Sequence, residues 1–205
     1  MRAYPGDGIK LYGVAFLYNI AQVMLCSYMC IEAVIVAKRS NFNLVCNSYD
    51  AKHPPMANVL WLFYASKVLD FVDTFFIVIG KKWKQLSFLH VYHHTTIFLF
   101  YWLNGRVNFD GDIYLTIVLN GLIHTIMYTY FLAATFGYRS PLAQSLTTMQ
   151  MIQFLTGITM TLGVHWMGES CDNEASRWTL VFIQIYAVGL VLLFGAFYKK
   201  KYKKD

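Results

Sequence analysis

The chain has 205 residues, of which 57% are hydrophobic and 14% are charged, and its formal net charge is +6. A soluble domain usually carries about a quarter charged residues, so this composition excludes an ordinary soluble domain and indicates a polytopic membrane protein. The basic residues cluster beside apolar segments, where they are more typical of the cytosolic side of a membrane than of a nucleic-acid site, and we expect no nucleic-acid partner.

Six apolar segments are long enough to cross a bilayer, which takes roughly 20 residues in a helix. Each segment holds few charged residues, and the connections carry the Pro, Asn, Asp and Lys residues. The pattern predicts an all-α bundle of six transmembrane helices, with a single membrane domain over residues 1–205 and a basic cytosolic tail at 199–205. The predicted spans are 11–37, 57–80, 86–103, 113–136, 142–165 and 177–198.

The distribution of Lys and Arg predicts the orientation of the chain. With the C-terminus in the cytosol, eleven of these residues lie on the cytosolic side and five on the opposite side. The last five residues, 201–205, fit the K-x-K-x-x pattern that returns membrane proteins to the endoplasmic reticulum. We therefore expect a multi-pass protein of the endoplasmic reticulum membrane.

Two of the four cysteines are predicted to share the lumenal side of the membrane. Cys26 and Cys30 lie within the first span, where they are interpreted as packing residues, whereas Cys46 and Cys171 fall in two loops on the non-cytosolic side. The lumen of the endoplasmic reticulum is oxidising, so we predict a disulfide between Cys46 and Cys171. Two unrelated free thiols are the alternative.

The second span carries the first group of polar residues inside the predicted membrane. Lys67, Asp70, Asp73 and Thr74 follow the spacing i, i+3, i+6 and i+7, which places them on one helix face. One lysine beside two aspartates is nearly self-neutralising, and this lowers the cost of burying them. A structural ion pair, a supporting role around a site and a direct chemical role all remain open for this cluster.

The third span begins with three histidines within five residues, His90, His93 and His94, which crowd about one side of the helix. A lone buried histidine is usually a hydrogen-bonded core residue, but packing alone does not readily explain three. Because ionisable residues within spans are functional candidates, these histidines are the leading candidates for chemistry.

The fourth and fifth spans contribute further polar faces. Asn120, His124 and Tyr128 lie on one face of the fourth span, where the flanking side chains can orient the imidazole. Gln150 and Gln153 are spaced i and i+3 in the fifth span, although such residues also join membrane helices by hydrogen bonds. The polar faces are expected to converge on a chamber that opens to the cytosol, with an apolar interior beyond it that suits an alkyl chain.

Two chemistries use a cluster of histidines. Neutral imidazole binds iron or zinc, but a di-iron lipid oxygenase needs more histidines than the six of this chain, and no H-x-x-x-H box is present. Imidazole is also a competent nucleophile toward a thioester, and a neighbouring histidine can transfer protons near neutral pH. A mononuclear zinc site and acyl transfer both remain open at this point.

Four motifs in order resemble the very-long-chain fatty acid elongases, the membrane 3-ketoacyl-CoA synthases. They are "KVLDFVDT", "HVYHH", "NGLIHTIMYTYF" and "TTMQMIQF", which together cover about residues 57–155. Two positions depart from the family pattern, since Asp70 stands where glutamate is usual and Phe131 where a tyrosine is usual. The family generally has seven spans, and the resemblance implies that the first of them is missing here. Residues 85–92 are similar to the subset that acts on polyunsaturated acyl chains.

The resemblance implies that long-chain acyl-CoA and malonyl-CoA are converted to 3-oxoacyl-CoA, carbon dioxide and CoA. It assigns His93 as the nucleophile, His124 as the residue that faces it, and His90 and His94 as orienting or proton-coupling groups. It implies no cofactor beyond these two substrates, and as partners it implies membrane lipid, the other enzymes of the elongation cycle and a homodimer. The supporting residues that it implies are Lys67, Asp70, Asp73, Thr74, Asn120, Tyr128, Gln150 and Gln153.

Two other functions remain as alternatives. A metal-dependent membrane desaturase or hydroxylase would use the histidines as ligands, and it would contain stoichiometric iron. A non-enzymatic lipid carrier would not decarboxylate malonyl-CoA, and it has no need of the H-x-x-H-H box together with a distant histidine.

Overall fold

The computed structural model describes residues 7–47, 50, 52–107, 110–138, 141–167 and 174–202. Over these ranges it contains six α-helices and no β-strand, which confirms the predicted all-α fold. The helices are α1 (Tyr12–Arg39), α2 (Ala57–Ile79), α3 (Phe88–Val107), α4 (Ile113–Thr135), α5 (Leu142–Met167) and α6 (Glu174–Tyr202).

The helices have the lengths that a bilayer demands. Within the described ranges, three segments are long and apolar enough to cross a membrane by length and composition: Tyr12–Arg39, Ile113–Thr135 and Val181–Tyr202. The other three helices, α2, α3 and α5, each carry a polar motif, as α4 also does, and the shortest of them has 20 residues and is about 30 Å long. The bundle is therefore that of a polytopic membrane protein whose helices carry polar residues within otherwise apolar segments.

Helix α6 extends beyond the predicted span at both ends. It continues to Tyr202, so the first lysines of the basic tail lie on the last turn of a helix. Cations at this end interact favourably with the partial negative charge of the helix C-terminus.

Helices α1 and α4 form an antiparallel pair with a close crossing. Near one end the Cys30 thiol approaches the carbonyl oxygen of Val118 at 3.4 Å, and further along Ser27 and Thr125 hydrogen-bond at 3.3 Å. A Cβ atom added at Gly121 would lie 3.1 Å from the Cys26 carbonyl oxygen and 3.1 Å from the Cys30 Cβ. The absence of a side chain at Gly121 is what allows the two backbones to approach.

Replacing Gly121 with valine is expected to destabilise the protein by about 1–3 kcal/mol, because the added methyl groups collide with the α1 backbone. Thermal unfolding in detergent measures the effect. Gly189→Val is the matched control, since a Cβ at that helical glycine meets nothing within 4 Å among the described residues. Equal unfolding temperatures for the two variants would contradict the close crossing.

The hydrophobic core lies between α1, α2 and α4, with α3 against one side of it. Its most buried members include Met29, Leu60, Phe63 and Ile117. Helices α5 and α6 pack on each other and contact α4 and α3 respectively. This arrangement places the start of α3 between α2 and the α5–α6 pair.

The connection between α3 and α4 is hydrogen-bonded to the loop that follows α1. The two carboxylate oxygens of Asp112 accept hydrogen bonds from the backbone N–H groups of Cys46 and Asn47, both at 2.9 Å. Asp110 is almost fully buried and accepts from the backbone N–H of Met56 at 3.2 Å. These charge-assisted bonds hold the loop against the bundle at its predicted lumenal end.

The cysteines fall into two classes. Cys26 and Cys30 are free thiols on α1, where they pack against α4. Cys46 is disulfide-bonded. Cys171, its predicted partner, lies outside the described residues, so the pairing of Cys46 with Cys171 stays a prediction.

Candidate active site

The three histidines of α3 form one cluster. The ring centroids of His90 and His94 are 4.4 Å apart, and those of His93 and His94 are 5.5 Å apart. The His93 ring also contacts two aromatic rings edge-on, Phe154 of α5 at 6.5 Å and Phe194 of α6 at 5.7 Å. His93 therefore points from α3 toward the α5–α6 pair rather than into lipid.

The hydrogen-bond partners of the three histidines differ. Nε2 of His90 is 2.9 Å from the hydroxyl of Thr74, which joins α3 to α2 as the motif on α2 suggests. The Nδ1 atoms of His93 and His94 are shielded from solvent and have no hydrogen-bond partner among the described residues. The buried Nδ1 atoms of His93 and His94 thus differ from Nε2 of His90, which is already hydrogen-bonded.

His124 is held in a defined orientation on α4. Its Nδ1 lies 3.0 Å from the backbone carbonyl oxygen of Asn120, one turn earlier. A carbonyl oxygen only accepts, so Nδ1 carries the proton and Nε2 of the neutral ring bears the lone pair. The geometry therefore makes the buried His124 a proton acceptor at Nε2.

A buried ion pair supports the His124 helix. Nζ of Lys67 lies 3.3 Å from Asp70, and the two side chains are 4% and 6% exposed. The same Nζ donates to the side-chain oxygen of Asn120 at 3.2 Å and lies 4.3 Å from the centre of the Phe63 ring. Lys67 therefore connects α2 to the residue whose carbonyl orients His124.

Tyr128 joins the two aspartates of α2. Its hydroxyl is 2.8 Å from Asp73 and 3.3 Å from Asp70, and because it has one proton, the shorter contact receives the donated bond. Tyr128 is fully buried at one turn from His124, with ring centroids 6.2 Å apart. The predicted faces of α2 and α4 thus meet in one polar network.

The sequence reasoning missed the contribution of α1 to this network. The amide nitrogen of Gln22 lies 3.1 Å from Asp70, 3.2 Å from the Tyr128 hydroxyl and 2.9 Å from the Tyr18 hydroxyl. Tyr18 in turn donates to the backbone oxygen of Leu69 at 3.0 Å. The available signal was the spacing i, i+4 of two polar residues in an apolar helix, on the face that includes the buried residues Asn19, Gln22, Cys26, Met29, Ala33 and Ala37.

His93 and His124 belong to the same polar interior. The His93 ring adjoins His94, and His124 is joined to the Lys67–Asp70 pair through Asn120. Neither imidazole is directed into lipid, since His124 is buried and the His93 ring is packed between aromatic side chains. The assignment of both rings to one reacting group stays a prediction.

The two glutamines of α5 have different surroundings. Nε2 of Gln150 is 3.9 Å from the sulfur of Met127, which is a weak contact with α4. Gln153 is buried and lines a cavity. The structure thus separates Gln150, at a helix contact, from Gln153, at the cavity wall.

An apolar cavity lies between α3, α4, α5 and α6, beyond the histidine cluster. Phe154 links the two regions, because it contacts the His93 ring and also lines the cavity. Aliphatic and aromatic side chains make up most of the wall, which suits an alkyl chain. The lining residues from the four helices are Ile97, Phe100, Tyr101, Ile113, Leu115, Thr116, Leu119, Gln153, Phe154, Gly157, Met160, Thr161, Val164, Ile183, Tyr186, Ala187 and Leu190.

A second contact that the sequence did not predict joins Tyr186 of α6 to α3 near the histidines. The Thr96 hydroxyl donates to the backbone oxygen of Tyr92 at 2.7 Å, so the Tyr186 hydroxyl donates to Thr96 across 2.8 Å. The Tyr186 ring stacks on Phe100 with centroids 5.0 Å apart. This contact fixes the α3 backbone one turn beyond His93.

A metal site requires several ligating side chains grouped around one point. Among the residues that the structure describes, no three His, Cys, Asp or Glu side chains are grouped so as to hold a metal ion.

Comparisons with known proteins agree with the motif resemblance. The family model described as ELO, the GNS1/SUR4 family, matches residues 1–205. Very long chain fatty acid elongase 2 of Mus musculus is 34% identical over 202 residues, which is 96% of this chain and 68% of that protein. Elongase 5 of Xenopus tropicalis is 34% identical over 96% of this chain and 67% of its own length. Elongase 4 of Homo sapiens is 31% identical over 93% of this chain and 62% of its own length.

Proposed function

The chain belongs to the GNS1/SUR4 family, and on that premise we propose that it is a condensing enzyme of fatty acid elongation. It joins a long-chain acyl-CoA to malonyl-CoA and releases 3-oxoacyl-CoA, carbon dioxide and CoA. The observation that carries this proposal is the position of His93, which lies in a polar cluster at the near end of an apolar cavity. The similarity to proteins named very long chain fatty acid elongases supports it.

The first half-reaction transfers the acyl group to His93. A ring nitrogen attacks the thioester carbonyl carbon, a C–N bond forms and the C–S bond breaks. Nε2 of His124 accepts the proton that the His93 ring loses, and the resulting imidazolium protonates the departing CoA thiolate. Because Nδ1 of His124 carries the proton, its Nε2 can first accept a proton from His93 and then donate it to the thiolate.

The second half-reaction forms the carbon–carbon bond. Malonyl-CoA loses carbon dioxide, and the electron pair left on its carbon attacks the carbonyl of the acyl-imidazole. The new C–C bond forms, the C–N bond to His93 breaks, and the ring regains the one proton that the overall reaction takes up from the medium. His90 and His94 orient the histidine cluster, and Thr74 fixes the first of them by its hydrogen bond.

The polar and apolar regions divide the substrate between them. The charged CoA stays at the end of the bundle where Lys81, Lys82 and Lys84 lie between α2 and α3, while the acyl tail enters the cavity beyond His93. We place this lysine-rich side and the C-terminus in the cytosol, and the protein in the endoplasmic reticulum membrane. The other enzymes of the elongation cycle, and a second copy of the chain, are its proposed partners.

Mass spectrometry of the purified protein after incubation with acyl-CoA alone tests the proposal. We expect a mass increase of one acyl group on the peptide that contains His93, and its loss on addition of malonyl-CoA. His53→Ala is the matched control and should keep the adduct, because His53 lies in an exposed loop at the other end of α2. Condensed product formed without any acyl-protein would contradict the covalent route.

A further inference from the structure

We propose that Gly157 is a specificity-determining position, which gives the acyl cavity the width to hold a cis-unsaturated chain bent close to its thioester end. The inference rests on the proposed function. It concerns the shape of the chain that the cavity admits, which the identity of the catalytic histidines does not decide.

Gly157 lies at the centre of the cavity face of α5. Residues four and three positions before it, Gln153 and Phe154, line the cavity, and so do residues three and four positions after it, Met160 and Thr161. Neighbours at these spacings share one face of a helix. A side chain at position 157 would therefore project into the cavity rather than toward lipid.

The space at Gly157 is open. A Cβ atom built there meets nothing within 4 Å among the described residues, whereas at Gly121 of α4 a Cβ would meet α1 at 3.1 Å. Gly157 thus does not serve the close approach of two helices. A helical glycine is less favourable than alanine by about 1 kcal/mol in general, and here the structure shows no packing reason for that cost.

The cavity walls formed by α3 and α6 leave less space for a bent chain than α5 does at Gly157. On α6 the Tyr186 ring stacks on Phe100 at 5.0 Å, and its hydroxyl is hydrogen-bonded to Thr96. Tyr101 of α3, also a lining residue, is nearly fully buried. A chain that is displaced away from α3 and α6 in this part of the cavity can therefore move toward α5, where Gly157 leaves space.

The distance of Gly157 from His93 along the cavity determines which part of the acyl chain lies beside Gly157. Phe154 contacts the His93 ring, and Gly157 follows three residues later, which is about 4.5 Å along the helix axis. The widened section thus begins a few carbons beyond the reacting carbonyl. A saturated chain in its extended form passes without using this width, whereas a cis double bond near the thioester displaces the chain sideways.

The test compares three acyl-CoA substrates of equal length: one saturated, one with a cis double bond near the thioester and one with a cis double bond near the methyl end. Each is assayed with malonyl-CoA on the wild type and on Gly157→Ala. We expect the variant to lower kcat/KM for the proximal cis substrate by about tenfold or more relative to the saturated one, since one added methyl group in an apolar pocket discriminates on this scale. The distal cis substrate should change little.

Gly163→Ala is the matched control on the same helix, because Gly163 does not line the cavity and its Cβ position is also open. It should leave all three kcat/KM values unchanged. Equal effects of Gly157→Ala on all three substrates, or no effect on any, would overturn the inference while the wild-type activity upholds the proposed function. A wild type that condenses none of the three would overturn the proposed function, and the inference with it.

Discussion

Replacing His93 with alanine is expected to lower the rate of condensation by on the order of 10⁴-fold or more, because the nucleophile that carries the acyl group is lost. The protein should still fold, since the side chain of His93 packs through ring contacts with His94, Phe154 and Phe194 and makes no ion pair among the described residues. Release of labelled carbon dioxide from malonyl-CoA and formation of 3-oxoacyl-CoA measure the effect.

The same assay separates a nucleophile from a residue that only lines the site. Residues that act as one unit are not additive, so His93→Ala combined with His124→Ala should be no slower than His93→Ala alone. His53→Ala should keep the full rate. Persistent condensation by His93→Ala at a rate near that of the wild type would exclude the acyl-histidine route.

The sequence predicted the helices well because two independent signals agreed. The length of each apolar segment indicated a span, and the polar connections indicated where the span ends. The predicted starts of the fourth span at 113 and of the fifth at 142 coincide with the first residues of α4 and α5. Helix α6 continues past residue 198, where the predicted sixth span ends, because a run of lysines indicates the membrane boundary but does not by itself end a helix. Length and hydropathy locate membrane segments, whereas helix ends also depend on local hydrogen bonds.

The candidate site was predictable where one helix carried several polar residues. The three histidines and the Lys67–Asp70 pair could be found from spacing within a single span. Gln22 could not be found in this way, because its role depends on a contact with Asp70 of α2, which lies 48 residues later in the sequence. The role of Gly157 could not be predicted from the sequence either, since a glycine in an apolar helix can be assigned to a cavity wall only when the cavity is known.

Replacing Lys67 with methionine is expected to cost about 3–5 kcal/mol of stability, because it leaves the buried carboxylate of Asp70 without its cation. Methionine keeps most of the apolar stem, so lost packing against Phe63 contributes little. Thermal or denaturant unfolding in detergent measures the change. Lys52→Met is the matched control and should be near neutral, since Lys52 lies in an exposed loop.

The double variant Lys67→Met, Asp70→Leu shows whether the pair serves stability or catalysis. Removing both charges should recover part of the lost stability, because an apolar pair no longer leaves a buried charge unpaired. The rate should not recover, since Asn120 still lacks the lysine that fixes its side chain beside the carbonyl that orients His124. Recovery of both stability and rate would reduce the pair to a structural link between helices, whereas recovery of stability alone identifies Lys67 as a positioning residue for His124.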